Sequence, residues 1–217
     1  LIALLMAPAL LGAGVVQVNL VIDVILASTL SEGSVSFLYY ADRINQLPLG
    51  VVGVAVGITL LPLLTRQLRS GEIESAQGSQ NRAIEFALAL TLPATAALIA
   101  MPGPIVTVLF QRGAFDVASA EATAGALAAF AVGLPAYVLI KALTPNFFAR
   151  EDTKTPVKVA VVAMIVNVVL AVALMQVLAH VGIALATALS AWFNATALAV
   201  LLVRRGHLTF DARLRRC

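Results

Sequence analysis

The stretch YYADRINQLPLG, residues 39–50, puts groups into an apolar chain that a lipid-facing helix has no ordinary use for. Asp42 and Arg43 are adjacent, and Asn45 and Gln46 follow within one turn. A guanidinium is always charged, and its planar fork of donors takes a carboxylate or phosphate in two parallel hydrogen bonds. The chemistry on offer is recognition of an anion such as a pyrophosphate, with Asp42 to position the ligand or carry a coupling cation. On a helix, Tyr39, Arg43, Gln46, Gly50, Gly53 and Gly57 form one stripe at spacings of three or four. That stripe is polar at one end and small at the other, which suits the wall of a water-filled cleft. Asn19 and Asp23, four apart, share a face of the preceding helix. Asp42 and Arg43 diverge by about 100° on a helix and do not pair ideally with one another. A buried pair of Asp23 with Arg43 is the alternative use of these charges.

The surroundings make these groups costly. Of 217 residues, 61% are hydrophobic and only 12% are charged, and mean hydropathy is +0.99. A soluble domain carries about twice that share of charge. The composition indicates an all-α integral membrane protein and excludes a soluble enzyme or a nucleic-acid binder. A charge at the bilayer centre costs about 2.5–3.5 kcal/mol on insertion scales. Asp23, Asp42 and Arg43 facing lipid would together cost roughly 8–10 kcal/mol, as much as the stability of an ordinary domain. They are expected to face a polar cavity.

Six apolar runs are long enough to span a bilayer, over roughly 3–29, 35–65, 83–101, 120–147, 157–179 and 181–203. Runs of this length are helices rather than barrel strands, so the expectation is a six-helix bundle. Segments 65–82, 149–158 and 204–216 hold eleven basic residues: Arg66, Arg69, Arg82, Arg150, Lys154, Lys158, Arg204, Arg205, Arg213, Arg215 and Arg216. The opposite ends hold only Arg112. The first set, with the basic tail 204–217, is therefore expected in the cytoplasm. A kink is expected at Pro48. Gly53 and Gly57 form a GxxxG pair suited to close helix packing. The segment 103–116 reads as a short interfacial helix or turn, with Phe110 and Phe115 near the headgroups. The chain opens on LIALLMAPALLG without an initiator methionine and closes on DARLRRC, which reads as a piece of a longer protein.

The remaining polar residues read more plainly. Lys141 is expected to snorkel to the cytoplasmic surface. Glu85 reads as an anion at a helix N-terminus. Asn167, Gln176 and Asn194 read as interhelical hydrogen-bonding groups, and Trp192 as packing. In REDTKTPVK, residues 150–158, Thr155 is the expected N-cap and Pro156 the first helical residue. The close acidic pairs Glu72/Glu74 and Glu151/Asp152 lie among basic residues and read as solvated charge. Cys217 stands alone, so no disulfide within the chain and no Cys-His metal site is expected, and neither histidine has partners at metal spacing.

The run YYADRINQLPLGVVGVAVGITLLPLLTRQL resembles the signature helix of the MurJ/MviN family of lipid II flippases. LFQRGAFD, PNFFAREDTKTPVKVA and APALLGAGVVQVNLVIDVILAS resemble neighbouring segments of that family in the same order, so the likeness covers the whole chain. It implies one six-helix lobe of a two-lobe exporter with a central cavity. The six spans would be the seventh to twelfth of fourteen, with the N-terminal lobe and the last two helices outside this chain. It implies transport rather than catalysis, without a cofactor. The cargo would be the undecaprenyl-pyrophosphate-linked muropeptide lipid II, moved across the bacterial inner membrane by alternating access for peptidoglycan synthesis. The expected partners are that lipid, the membrane and the N-terminal lobe. The family's essential arginine falls on Arg43 and its acidic neighbour on Asp42, while Gln46 stands where relatives can carry glutamate. The resemblance extends to a superfamily of multidrug and polysaccharide exporters, which is the second reading. A membrane enzyme acting on a polyprenyl phosphate is the third, but it would need paired carboxylates at a membrane face.

Overall fold

The computed structural model describes residues 2–209, and these form six helices: α1 (Ile2–Ser28), α2 (Ser34–Arg69), α3 (Ile73–Ala100), α4 (Pro102–Phe110), α5 (Val117–Ala149) and α6 (Lys154–Arg204). The part of the basic tail carrying Arg213, Arg215 and Arg216 lies outside the described residues. Helix is the only open-ended element whose backbone groups are satisfied without water, so apolar runs of this length have no alternative in a bilayer. α6 is two spans in one. Its 51 residues are broken at Ala179, whose backbone (φ 50°, ψ −131°) is far from helical and divides it into a first arm, 154–178, and a second arm, 180–204. Gly182 is required just after the break, because a Cβ there would strike the Leu174 carbonyl of the opposing arm. His180 pins the turn to α5 through its Nε2, 3.0 Å from the Ala122 carbonyl oxygen.

α5 is the axis of the lobe and touches α2, α3, α4 and α6. Its sequence ATAGALAAFAVG explains why: small side chains let neighbouring backbones come close, which is the main source of helix association in lipid. At Gly133 a Cβ would stand 2.8 Å from the Ala188 Cα, so α5 and the second arm meet there backbone to backbone. Two large apolar clusters, and a small one of Ala136, Ala191 and Ala195, fill the lobe. One joins Ala27, Leu38 and Ile44 to Leu127 and Phe130, and the other joins Val52 and Leu64 to Leu143, Phe147 and Leu202. Asn45, Gln46, Leu49 and Gly50 of α2 lie between the two and line a cleft.

The turns gather at the two ends. At one end, Tyr40, Phe110 and Phe115 pack ring against ring, with centroids 4.8–6.2 Å apart, and Phe37 stacks on His180 at 5.5 Å. α4 is the short helix expected after the third span; Phe110 at its end and Phe115 in the turn beyond it close against α2. At the other end, the basic turns are tied together. Gln77 Nε2 donates to the Gly206 carbonyl (3.1 Å) and Asn81 Nδ2 to the Thr209 carbonyl (2.8 Å), while Leu208 is buried. Arg205 Nη1 lies 2.6 Å from Asp152 Oδ2.

Several boundaries differ from the sequence reading, each for a physical reason. α3 begins at Ile73, ten residues before the expected 83. The polar residues that suggested a loop are buried on its inward face: Gln80 donates to the Ala142 carbonyl at 2.9 Å and Asn81 holds the tail. Glu85 therefore lies more than three turns inside the helix and is no N-terminal anion. α2 stays helical through Pro48 and Pro62 and runs on to Arg69. α6 starts at Lys154, and Asp152 rather than Thr155 does the capping. Its carboxylate accepts from the Thr155 N–H (3.0 Å) and the Thr155 hydroxyl (2.6 Å). Asp152 is thus a partner of Thr155 and Arg205, not solvated charge.

Burial opposes ionisation of Asp152, but the hydrogen bonds from Thr155 and Arg205 outweigh it and hold the carboxyl down at about 2, against 3.8 for the free group. A depressed carboxylate stabilises the fold above the free value, and the contribution disappears as pH falls through the folded value. Asp152→Asn, followed by thermal denaturation in detergent, is expected to lower Tm by a few degrees, in line with roughly 1 kcal/mol for a cap. The gap to wild type should be full above pH 3.8 and close as pH approaches 2. A gap that persists unchanged at the acid end would show that ionisation is not its source.

Candidate functional site

The cleft, about 670 Å³ in volume, is bounded by α1, α2, α5 and both arms of α6. Its polar wall is built from several helices at once. Asn19 and Asp23 come from α1, Tyr39, Asp42, Asn45 and Gln46 from α2, and Tyr137 and Lys141 from α5. The first arm of α6 adds Asn167, and the second adds Thr187 and Asn194. Apolar residues such as Leu38, Phe130 and Ile183 form the remainder.

Asp23 is the hub. Asn167 Nδ2 donates to Asp23 Oδ1 at 3.1 Å and to Asn19 Oδ1 at 2.9 Å. Asn19 Nδ2 donates to Asp23 Oδ2 at 3.3 Å, and the Thr187 hydroxyl approaches the same oxygen at 3.5 Å. The network ties α1 to both arms of α6 and gives a partly buried carboxylate the donors that burial demands. A second carboxylate, Asp42, accepts from Gln46 one turn along α2. Among the described residues no three His, Cys, Asp or Glu side chains gather at metal-binding range.

Five of the six expected site residues line this cleft: Asn19, Asp23, Tyr39, Asp42 and Gln46. Arg43 stands beside it. Its Nη2 donates to the Tyr39 hydroxyl at 2.9 Å, and its guanidinium carbon lies 4.8 Å from the centre of the Tyr39 ring. It is exposed, and the Asp23–Arg43 pair is not formed: Arg205–Asp152 is the one ion pair among the described residues. Tyr39 thus holds Arg43 at the rim by a hydrogen bond and a cation–π contact, leaving most of its donors free.

The sequence reading missed Lys141. Rather than snorkelling away, it lines the cleft, and its stem lies over Gly53, where a Cβ would stand 2.5 Å from its Cδ. Gly50 and Gly57 have nothing within 4 Å of a Cβ, so Gly53 alone of the three makes room for a neighbour, a difference the sequence does not show. Asn167 does bond between helices, but its partners are cleft residues. Trp192 donates from Nε1 to the Val132 carbonyl at 2.9 Å, adding a hydrogen bond to its packing.

A membrane-length helical bundle with a polar cleft between helices defines a lobe of an exporter-type transporter. A solved outward-facing multidrug resistance MATE family transporter of the MOP superfamily shares the fold, with a TM-score of 0.82 at 17% identity over 95% of this chain and 46% of the other. The chain belongs to the lipid II flippase MurJ family, whose profile matches residues 2–216. A "Probable lipid II flippase MurJ" of Rhizobium tropici is 54% identical over 213 residues, covering 98% of this chain and 40% of the relative. The solved structure of a lipid II flippase MurJ in an inward closed conformation superposes with a TM-score of 0.80 at 28% identity, over 87% of this chain and 40% of the other. The chain therefore spans about 40% of the length of these relatives.

Asn167→Leu removes two donors and leaves Asp23 under-satisfied, so it is expected to cost about 1–3 kcal/mol, seen as a fall in Tm in detergent. Asp23→Leu added to it should recover much of the loss, because replacing both partners by apolar groups is close to neutral. Additive losses in the double variant would show that the two residues are not coupled through this bond.

Proposed function

We propose that this chain is the C-terminal lobe of a lipid II flippase, with its six spans the seventh to twelfth of the complete transporter in the bacterial inner membrane. The basic segments 65–82, 149–158 and 204–216 face the cytoplasm on this reading, by the excess of Lys and Arg on that side. The complete protein moves an undecaprenyl-pyrophosphate-linked muropeptide by alternating access, with the N-terminal lobe closing the cleft from the opposite side. It is a transporter rather than a catalyst. Family membership supports the substrate. The likeness to multidrug transporters carries the fold alone.

The observation that carries a substrate role for the site is the state of Arg43. A guanidinium used to neutralise a carboxylate would sit against one. Here it makes no ion pair within the described residues, is exposed, and is oriented by Tyr39 at the mouth of a cleft lined by Lys141. That arrangement suits the capture of a pyrophosphate, with Arg43 supplying the bidentate contact and Lys141 a compact second charge. Asp23 and Asn19 hold the helices that shape the cleft. Asp42 and Gln46 face the ligand from α2.

The test is substitution in the complete transporter, read by rescue of flippase-depleted cells together with expression level and Tm. Arg43→Ala is expected to abolish rescue while Tm stays within about one degree of wild type, since no buried partner is stranded. Arg43→Lys keeps the charge but loses the planar fork, so rescue should be partial. An Arg43→Ala protein that rescues fully would refute the clamp. One that fails only because it no longer folds would make the residue structural.

A further inference from the structure

Lys141 in the cleft and Arg43 beside it stand at different depths. The Lys141 Cδ and Cε both lie over Gly53, 2.5 Å and 3.2 Å from where a Cβ would stand. The ammonium, one bond beyond Cε, is therefore fixed to that level of α2. Arg43 is ten residues nearer the start of the helix, which at 1.5 Å of rise per residue is about 15 Å. Its guanidinium is held by Tyr39, a further turn toward that start and away from Gly53. Neither cation makes an ion pair within the described residues. Their separation exceeds the span of a pyrophosphate and is nearly twice the screening length of about 8 Å at physiological ionic strength. One pyrophosphate cannot rest on both at once.

The cleft ends where Lys141 stands. Its lining runs along α2 from Val35 to Gly50 and along α5 from Phe130 to Lys141. Beyond that level Val52, Val56 and Leu60 join the apolar cluster of Leu143 and Leu202, which seals the lobe. On the orientation proposed above, Lys141 marks the cytoplasmic floor of the cleft and Arg43 stands toward its outer end. Asp23 and Asp42 line the same cleft and repel a phosphate, so the two cations are the stops this lobe offers it. They also differ in kind. The planar fork of Arg43, oriented by Tyr39, suits a fixed bidentate hold, whereas the Lys141 ammonium is a compact charge with no set geometry. We infer that Lys141 and Arg43 are successive stations for the cargo's pyrophosphate, an inner one that receives it and an outer one that holds it for release. This rests on the transport reading above and adds to it the order in which the two cations act.

The experiment maps cargo by protection of cysteines in the complete transporter, with Cys217 replaced by serine. Val35→Cys reports the outer end of the cleft. Gly50→Cys reports the floor, where a Cβ has nothing within 4 Å. Lipid II should slow labelling of both by a water-soluble thiol reagent when Arg43 and Lys141 are intact. Arg43→Ala should cut protection at Val35 about tenfold, the worth of one charge-assisted hydrogen bond, and change it less than about twofold at Gly50. Lys141→Met should do the reverse. Methionine follows the same path over Gly53 without the charge, so Tm should stay close to that of wild type. Lys141→Arg, which keeps the charge, should keep protection at Gly50. Loss at both cysteines from either variant alone would mean a single clamp and overturn the stations. Protection at Gly50 that survives Lys141→Met, or a loss that tracks a lowered Tm, would overturn them too. With both cations intact, lipid II translocation without protection at either cysteine would overturn the stations and leave the transport reading standing. Neither binding nor translocation of lipid II would remove both.

Discussion

The cost of holding ionised groups inside a bilayer governs this lobe. Asp23, Asp42, Arg43 and Lys141 lie within apolar helices, where each would cost about 2.5–3.5 kcal/mol against lipid. The fold meets that cost by assembling one cleft from helices far apart in sequence. Asp23 is satisfied by amides from α1 and the first arm of α6, Asp42 by Gln46, and Arg43 by Tyr39. Lys141 lays its stem on Gly53 and lines the same cleft. Arg43 beside the cleft, and Lys141 among the acceptors on its wall, leave a surface that is polarised rather than neutralised.

The rest of the architecture serves to hold that cleft open. α5 packs by small residues, so α2 and the second arm of α6 can close around it without bulky side chains filling the space between. The break at Ala179 sends α6 back along itself, which places Asn167 and Thr187 on either side of Asp23. Thr155, Asp152 and Arg205 join the two far ends of α6, and Gln77 and Asn81 fasten the segment after it to α3. The polar groups outside the cleft are mostly such fasteners.

Much of this was legible in the residues. Membrane-length apolar runs marked the helices, and the offset of Asn19, Asp23, Tyr39, Asp42 and Gln46 from the apolar pattern marked the cleft. What stayed hidden depended on contacts between distant segments. The start of α3 was obscured because Gln80 and Asn81 are polar yet buried, each donating to a carbonyl, 62 and 128 residues away. Lys141 looked free to reach water because nothing local shows that Gly53 receives its stem. The bond from Asp152 to Arg205 spans 53 residues and leaves no trace in the local charge pattern. Arg43 was read as exceptional, but its position beside the cleft follows from Tyr39 one turn earlier, a contact that the stripe suggested without fixing.

The central claim is that the face of α2 carrying Asp42 and Gln46 is an aqueous route for cargo and not a buried structural seam. Its most direct test is a cysteine at Gln46 in the complete transporter, with Cys217 replaced by serine, exposed in membranes to a charged, water-soluble thiol reagent with and without lipid II. The account predicts labelling at Gln46 that lipid II suppresses, and none at Val169, which lies on an exposed apolar part of the first arm of α6. A cysteine at Gln46 that never labels, or that labels equally with saturating lipid II, would contradict it.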